Sequence, residues 1–350
     1  MMRLTALLFC LLLFTKCKKT EEKRDLGPIK SVEIESIFED TVSIRAIDLL
    51  ADGSLAFAGS GGKYGSYNPQ TRTWMSGKIK YDSIYPNFRA VAHTTQDFFM
   101  LSIESPALLY KTGDSGKMEV VYKEEGPKTF YDSMIFWDNQ NGIAMGDPTD
   151  GCISIIITRD GGKSWNKISC DRLPAAADGE AAFAASNSNI SIYGDNAWII
   201  TGGIKSRVLH TADKGRTWEV FETTLIQGTP TTGGYSIDFY DENVGFVVGG
   251  DYTNPENTQA VKALTLDGGR TWNLVANNQD PGYRSCVKFI PETKGSGIVA
   301  IGFEGIDYSA DQGNTWRHLS DEEFFTIKFV NDSTAYAAGN NRVAMLNFKR

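Results

Sequence analysis

The feature that most limits what this chain can fold into is an eight-residue phrase that keeps returning. TRDGGKSW spans Thr158 to Trp165, TADKGRTW spans Thr211 to Trp218, TLDGGRTW spans Thr265 to Trp272 and SADQGNTW spans Ser309 to Trp316. Two worn copies precede them: YNPQTRTW (Tyr67 to Trp74), with Asn68 in the Asp slot, and TGDSGKME (Thr112 to Glu119), which lacks the Trp. The markers Asn68, Asp114, Asp160, Asp213, Asp267 and Asp311 are 46, 46, 53, 54 and 44 residues apart. A catalytic loop is needed once, whereas a phrase reused at a blade-sized period is architecture. Five of the seven Trp residues close one of these units, so the indole is read as packing.

The flanks alternate or run apolar, as in CISIII before Asp160 and WNKIS after it. That pattern is strand, turn, strand. Asp160, Asp213, Asp267 and Asp311 are expected to accept turn N–H groups while the glycines supply positive φ. Trp165, Trp218, Trp272 and Trp316 are expected to cover the hairpin roots.

The pattern S/T-x-D-x-G-x-T/S-W resembles the Asp-box, or BNR repeat, of sialidase-type β-propellers. The resemblance implies an all-β propeller with these hairpins at the blade periphery. It does not imply a sialidase. Seven inner strands can be read, in SIRAIDLL, NFRAVAHT, FYDSMIFW, GEAAFAAS, GYSIDFYD, YRSCVKFI and FFTIKFV. The expected fold is a single seven-bladed β-propeller over 29–350. The last blade ends at RVAMLNFKR without a fourth strand, and KSVEIESI (Lys30 to Ile37) is free to supply it. Joining both chain ends in one blade leaves no long unpaired edge.

Residues 1–16 read as a signal peptide, with Arg3 before an apolar run from Leu4 to Phe14 that is short for a membrane span. Cys17 looks like the acylated cysteine of a bacterial lipoprotein, and 17–28 would then be a polar tether. The expected address is the bacterial cell envelope, periplasmic or surface-exposed, with membrane contact through the lipid alone. The formal charge of −8 and the lack of a basic stripe argue against nucleic acid. A monomer is expected. Cys152 and Cys170 are equidistant from Gly161 in a hairpin, where they could form a cross-strand disulfide or remain two thiols. No CxxC, HExxH, GxGxxG or haem motif is present, so neither a metal nor a cofactor is expected.

The inner-strand entrances and the second-to-third-strand loops of a propeller share one face. There the sequence sets Arg45, Arg89, Tyr131, Asp132, Glu180, Tyr235, Tyr283 and Arg284, with Lys63, Asp147, Asp150, Lys205, Arg207, Asp251 and Tyr252 from the loops. Charges beside a channel are costly unless paired or hydrated. Three readings follow: an internal salt-bridge ring, a ligand site, or a catalytic site. As a ligand site, Arg45, Arg89 and Arg284 would grip an anionic or glycan ligand, with Tyr131, Tyr252, Asp147 and Asp251 around it. As a hydrolase or lyase, Asp132 and Glu180 would be the carboxylate pair and Tyr235 a further candidate.

A wider similarity covers nearly the whole mature chain. FYDSMIFWDNQNGIAMGDPTDG, DGEAAFAASNS, VVGGDY and GYRSCV, spaced among the Asp-boxes, look like bacterial relatives of the photosystem II stability/assembly factor propellers. That resemblance implies a non-catalytic module that holds a partner protein through an Arg-rich face. Relatives are often labelled oxidoreductase or glycosyl hydrolase, and no redox motif here supports the first label.

Overall fold

The structure is a computed structural model and describes residues 27–113 and 116–350. The signal segment, Cys17, nearly all of the tether and Asp114 lie outside the described residues. Seven antiparallel sheets follow one another around a ring. Blades 1 to 6 cover 46–78, 88–124, 131–167, 190–222, 232–274 and 286–320. Blade 7 is built from both ends of the chain: Thr326–Phe329, Thr334–Ala338 and Asn340–Lys349, with Ser31–Ser43 on its outer side. Ser31 faces Lys349 and Ile34 faces Leu346, so the N-terminal strand closes the ring as its apolar alternation implies. Inner and second strands are almost wholly buried, because each blade packs both faces against a neighbour.

The repeated hairpins share one hydrogen-bond pattern. In blade 3, Thr158 Oγ1 donates to Asp160 Oδ1 (2.8 Å) and accepts from the Gly162 N–H (2.9 Å). Asp160 also accepts from the Ser164 N–H (3.0 Å) and hydroxyl (2.6 Å). Blades 4, 5 and 6 repeat this around Asp213, Asp267 and Asp311. The network holds a sharp glycine, and that glycine is seated on the preceding blade. A Cβ on Gly162 (φ +80°) would lie 2.2 Å from the Phe99 ring, and one on Gly313 (φ +83°) 2.4 Å from Phe246. Gly215 and Gly269 lie likewise against Ile157 and Trp198. The hairpins therefore lock blade to blade, beyond covering their own roots.

One inner strand differs from expectation. GEAAFAAS is not the inner strand of blade 4, which is Ile190–Tyr193. Only Glu180–Ala181 makes a short ladder, with Gly202–Gly203. The chain from Phe183 to Ser188 instead crosses the axis and bonds to all six other blades. Arg45 and Arg89 donate to the carbonyls of Ala185 and Ala184 (3.2 and 3.0 Å). Asn187 bonds to Val91 O (2.8 Å) and to the Met134 N–H (2.9 Å). Ser188 meets Ser236 (2.7 Å), and Ser186 bonds to Ser285 O (2.6 Å) while its carbonyl accepts from Thr326 (2.9 Å). Alanine and serine are small enough for the axis, and Asn187 tolerates its φ of +57°. Side chains that bond to backbone replace a strand ladder here.

Cys152 and Cys170 are joined by a disulfide with S–S 2.04 Å. The bond ties the loop after blade 3 back to that blade, where Ala176 N–H also donates to Gly151 O (2.8 Å). This loop leads directly into the crossing segment.

Candidate binding face

The structure brings some of the expected site residues together and separates others. Arg45 and Arg89 adjoin on the channel face. The Arg45 guanidinium lies 3.9 Å from the centre of the Phe325 ring, a cation–π contact. Burial, and next the Arg45 charge, bring Arg89 down to about 10. The Nε atoms of both arginines are buried without a hydrogen-bond partner. Arg284 does not complete a three-arginine grip. It is 5% exposed, and its guanidinium is spent on Asp307 (2.6 Å), Tyr283 O (2.7 Å) and Glu304 O (3.3 Å).

The carboxylate pair expected for a hydrolase is also taken apart. Both Glu180 oxygens are occupied. Oε1 accepts from Thr201 Oγ1 (2.7 Å) and Arg207 Nε (3.1 Å), and Oε2 accepts from the Ala177 N–H (2.8 Å) and Arg207 Nη2. A fork–fork pair of this kind, with the carboxylate fully buried, holds a loop in place. Asp132 is the opposite case: it is fully buried and neither oxygen has a hydrogen-bond partner. Burial, reinforced by Asp147 and opposed by Arg89, pushes its carboxyl well above the usual range. Asp147 accepts from the Ala182 N–H (2.8 Å), and burial raises its carboxyl too.

The tyrosines separate in the same way. Tyr131 is not on the channel face: its hydroxyl donates to Glu124 (2.7 Å) in a cluster between blades 2 and 3 that includes Tyr122 and Lys167. Tyr235 is buried, donates to Thr231 O (2.7 Å) and stacks on Phe183 with centroids 4.0 Å apart. Burial raises its phenol, so it is no ready nucleophile. Tyr283 meets Tyr235 edge-on at 4.8 Å, and Phe303 lies 5.1 Å from Tyr283. Tyr252 is 48% exposed beside this group. Asp251 is engaged locally, accepting from the Thr253 N–H and hydroxyl (2.9 and 2.6 Å). Lys63 and Lys205 are drawn off by Asp40 and Glu222.

A salt-bridge network does exist, but at the other ends of the inner strands. Asp48 meets His93 (2.7 Å) and Lys328 (3.1 Å), and Asp238 meets Lys288 (2.6 Å). The sequence carried a signal for it: SIRAIDLL, NFRAVAHT, GYSIDFYD, YRSCVKFI and FFTIKFV each place a charged or imidazole side chain at an inner-strand position. Phe183 and the residues after it had no such signal, because small residues fit an inner strand equally well.

Residues 123–234 match the family model of the photosynthesis system II assembly factor YCF48. Over that span the chain is YCF48-like. The whole propeller also superposes on two solved YCF48 structures. The structure titled YCF48 bound to D1 peptide shares 12% identity, with 93% of this chain and 99% of the other covered and a TM-score of 0.65. YCF48 from Cyanidioschyzon merolae shares 15% identity, with 91% and 98% covered and a TM-score of 0.63. A catalytically inactive virginiamycin B lyase from Staphylococcus aureus with quinupristin matches equally well in shape, at 10% identity, 90% and 99% coverage and a TM-score of 0.66. No curated protein matches the chain by sequence. The span that matches the YCF48 family holds Tyr131, Asp132, Asp147, Glu180 and the crossing segment.

Proposed function

We propose that this protein is a binding or assembly module that holds a segment of a partner protein against its channel face. The observation that carries this reading is what the face leaves open. The axis is occupied by Phe183–Ser188, Glu180 is fully bonded and Asp132 lies buried beneath the surface. What remains accessible is a shelf of two half-buried rings, Phe183 and Phe303, seated on buried Tyr235 and Tyr283 and edged by half-exposed Tyr252. Rigid aromatics that present area at small entropic cost are the residues that dominate protein contacts. Arg45 and Arg89 adjoin the shelf and supply positive charge to an acidic group on the partner. A YCF48 bound to D1 peptide has the same fold, and the family match supports a peptide partner here as well.

The finer parts of the proposal rest on the sequence. Acylation of Cys17 would tether the module to the bacterial envelope, so the partner would be an envelope protein. A glycan or small anion is the other ligand that the arginines would suit.

The test is photo-crosslinking with the full chain in its native envelope. A benzoyl-phenylalanine placed at position 252 is expected to capture one discrete polypeptide. The same probe at the exposed Asp195, in the turn after Ile190–Tyr193, is expected to capture none. Equal labelling from both positions, or none from position 252, would remove the channel face as the binding surface.

A further inference from the structure

The junction between blades 1 and 2 has a buried core, from Ala56 and Ala58 to Phe88, Phe98 and Met100, but lacks the hairpin contact of its neighbours. Between blades 2 and 3, 3 and 4, 4 and 5, and 5 and 6, the box glycine touches a ring or branched side chain of the preceding blade, with Trp165, Trp218, Trp272 or Trp316 alongside. Between blades 7 and 1, Trp74 packs on Phe38 and Phe57 and donates to Ile37 O (2.7 Å). Between blades 6 and 7, Ile29 and Phe348 from the two chain ends fill the space. Blade 2 is different. Its hairpin has no Trp, and a Cβ on Gly116 would meet nothing within 4 Å. A groove of about 300 Å³ opens there, with Tyr64, Ser66, Met75, Gly77, Phe98 and Met118 among its walls.

The strand register explains its shape. Met75 faces Ser66 and Ser66 faces Ala56, so one side of the blade 1 sheet offers only small groups behind Met75. Met118 and Val120 stand on the opposing strand, Met118–Glu124. Met75 is 75% exposed, and Val120 of blade 2 and Ile84 and Tyr85 of the segment that joins the two blades are exposed as well. Exposed apolar residues gathered at one junction mark a contact surface. Two methionines as walls suit a groove that adapts to what enters.

Charge identifies the occupant further. The chain is acidic overall, at −8, yet Lys78 and Lys117 directly adjoin the lining residues Gly77 and Met118, and Lys80 follows Lys78. Among the described residues, Lys78 and Lys80 make no ion pair, and their ammonium groups lie 4.0 and 5.8 Å from the Tyr85 ring centre. Glu119 is the nearest opposing carboxylate along that strand.

We propose that this groove is a second docking site, which takes a bulky aromatic side chain from an extended partner segment carrying carboxylates on either side of it. The partner's ring would occupy the place that the Trp of the four intact hairpins occupies elsewhere, and Lys78 and Lys80 would meet its carboxylates. The site lies on the rim of the ring and does not depend on the channel-face reading.

The probe is a blocked, fluorescently labelled hexapeptide with one tryptophan between two aspartates, titrated by anisotropy into the full chain. Saturable binding below about 1 mM is expected. Replacing the peptide's tryptophan by alanine should weaken it at least tenfold. Met118→Trp, which fills the groove from within, should do the same. Met75→Glu alters an exposed wall, cannot impair folding through burial, and should abolish binding. Lys78→Glu with Lys80→Glu should weaken binding several-fold and flatten its dependence on salt. Absence of saturable binding to the wild-type chain, or binding that survives both Met118→Trp and Met75→Glu, would overturn the proposal.

Discussion

The junction between blades 4 and 5 and the junction between blades 1 and 2 begin from the same hairpin and end differently. At the first, Gly269 sits against Trp198, the Trp198 indole donates to Gly268 O (2.8 Å), and Trp272 is 4% exposed. At the second, a Cβ on the equivalent Gly116 would meet nothing within 4 Å, and Met75 is 75% exposed. The repeat is thus a docking device between blades, and its decay in one copy converts a structural seam into an accessible groove. Each box contributes two separable things: an Asp-centred network that shapes the turn, and a Gly–Trp pair that engages the neighbour.

The sharpest way to break that comparison is to truncate one apolar side chain at each junction. Trp272→Ala should cost about 3–5 kcal/mol in urea denaturation, the range for emptying a large buried site. Met75→Ala should change stability by less than about 0.5 kcal/mol. Equal costs would mean that the two junctions are energetically alike. Next come the glycines. Both Gly162 and Gly116 have positive φ, so alanine is strained at either, but only at Gly162 does the new methyl strike a ring. Gly162→Ala should therefore be the more destabilising of the two by about 1–3 kcal/mol.

The carboxylates extend the contrast to protonation. Asp132 is buried with no partner and is held neutral in the fold, while in the unfolded chain it ionises near pH 4. Folding then takes up a proton above pH 4, and stability falls with rising pH by up to about 1.4 kcal/mol per unit until the raised folded value is reached. Asp132→Asn should raise the melting temperature at pH 7 and remove that slope. Asp213 behaves in the opposite sense. Against the penalty of partial burial, bonds from Thr217, Thr211 and the Arg216 N–H hold it down to about 2. Its contribution is complete above pH 4 and is lost as the pH falls from about 4 to 2. Asp213→Asn should cost about 0.5–2 kcal/mol at pH 7, as loss of a capping acceptor does. It should also flatten the acid limb of a pH–stability curve.

The fold was legible because its signals are local and repeated. Six hairpins at a blade-sized spacing, and one unassigned strand at the N-terminus for a last blade that lacks its fourth, suffice to specify seven blades and their closure. The site was less legible, because the partner of a charged side chain is chosen by tertiary distance. Arg284 reads like Arg45 in sequence, yet Asp307, 23 residues on, claims it. Glu180 reads like a catalytic acid until Arg207, 27 residues on, binds both of its oxygens. The crossing of Phe183–Ser188 was hidden for a related reason: alanines and serines at an axis satisfy either a strand or a plug. Only the hydrogen bonds to six other blades separate the two.

Closure of the channel by Phe183–Ser188 is the point on which the binding-face account turns, and hydrogen exchange followed by mass spectrometry reads it directly. A peptide covering residues 183–189 is predicted to exchange only through global unfolding, with the same urea dependence as the inner strands. Exchange of that peptide within seconds, independent of urea, would mean that the axis is open and that Arg45, Arg89 and Asp132 line an accessible cavity.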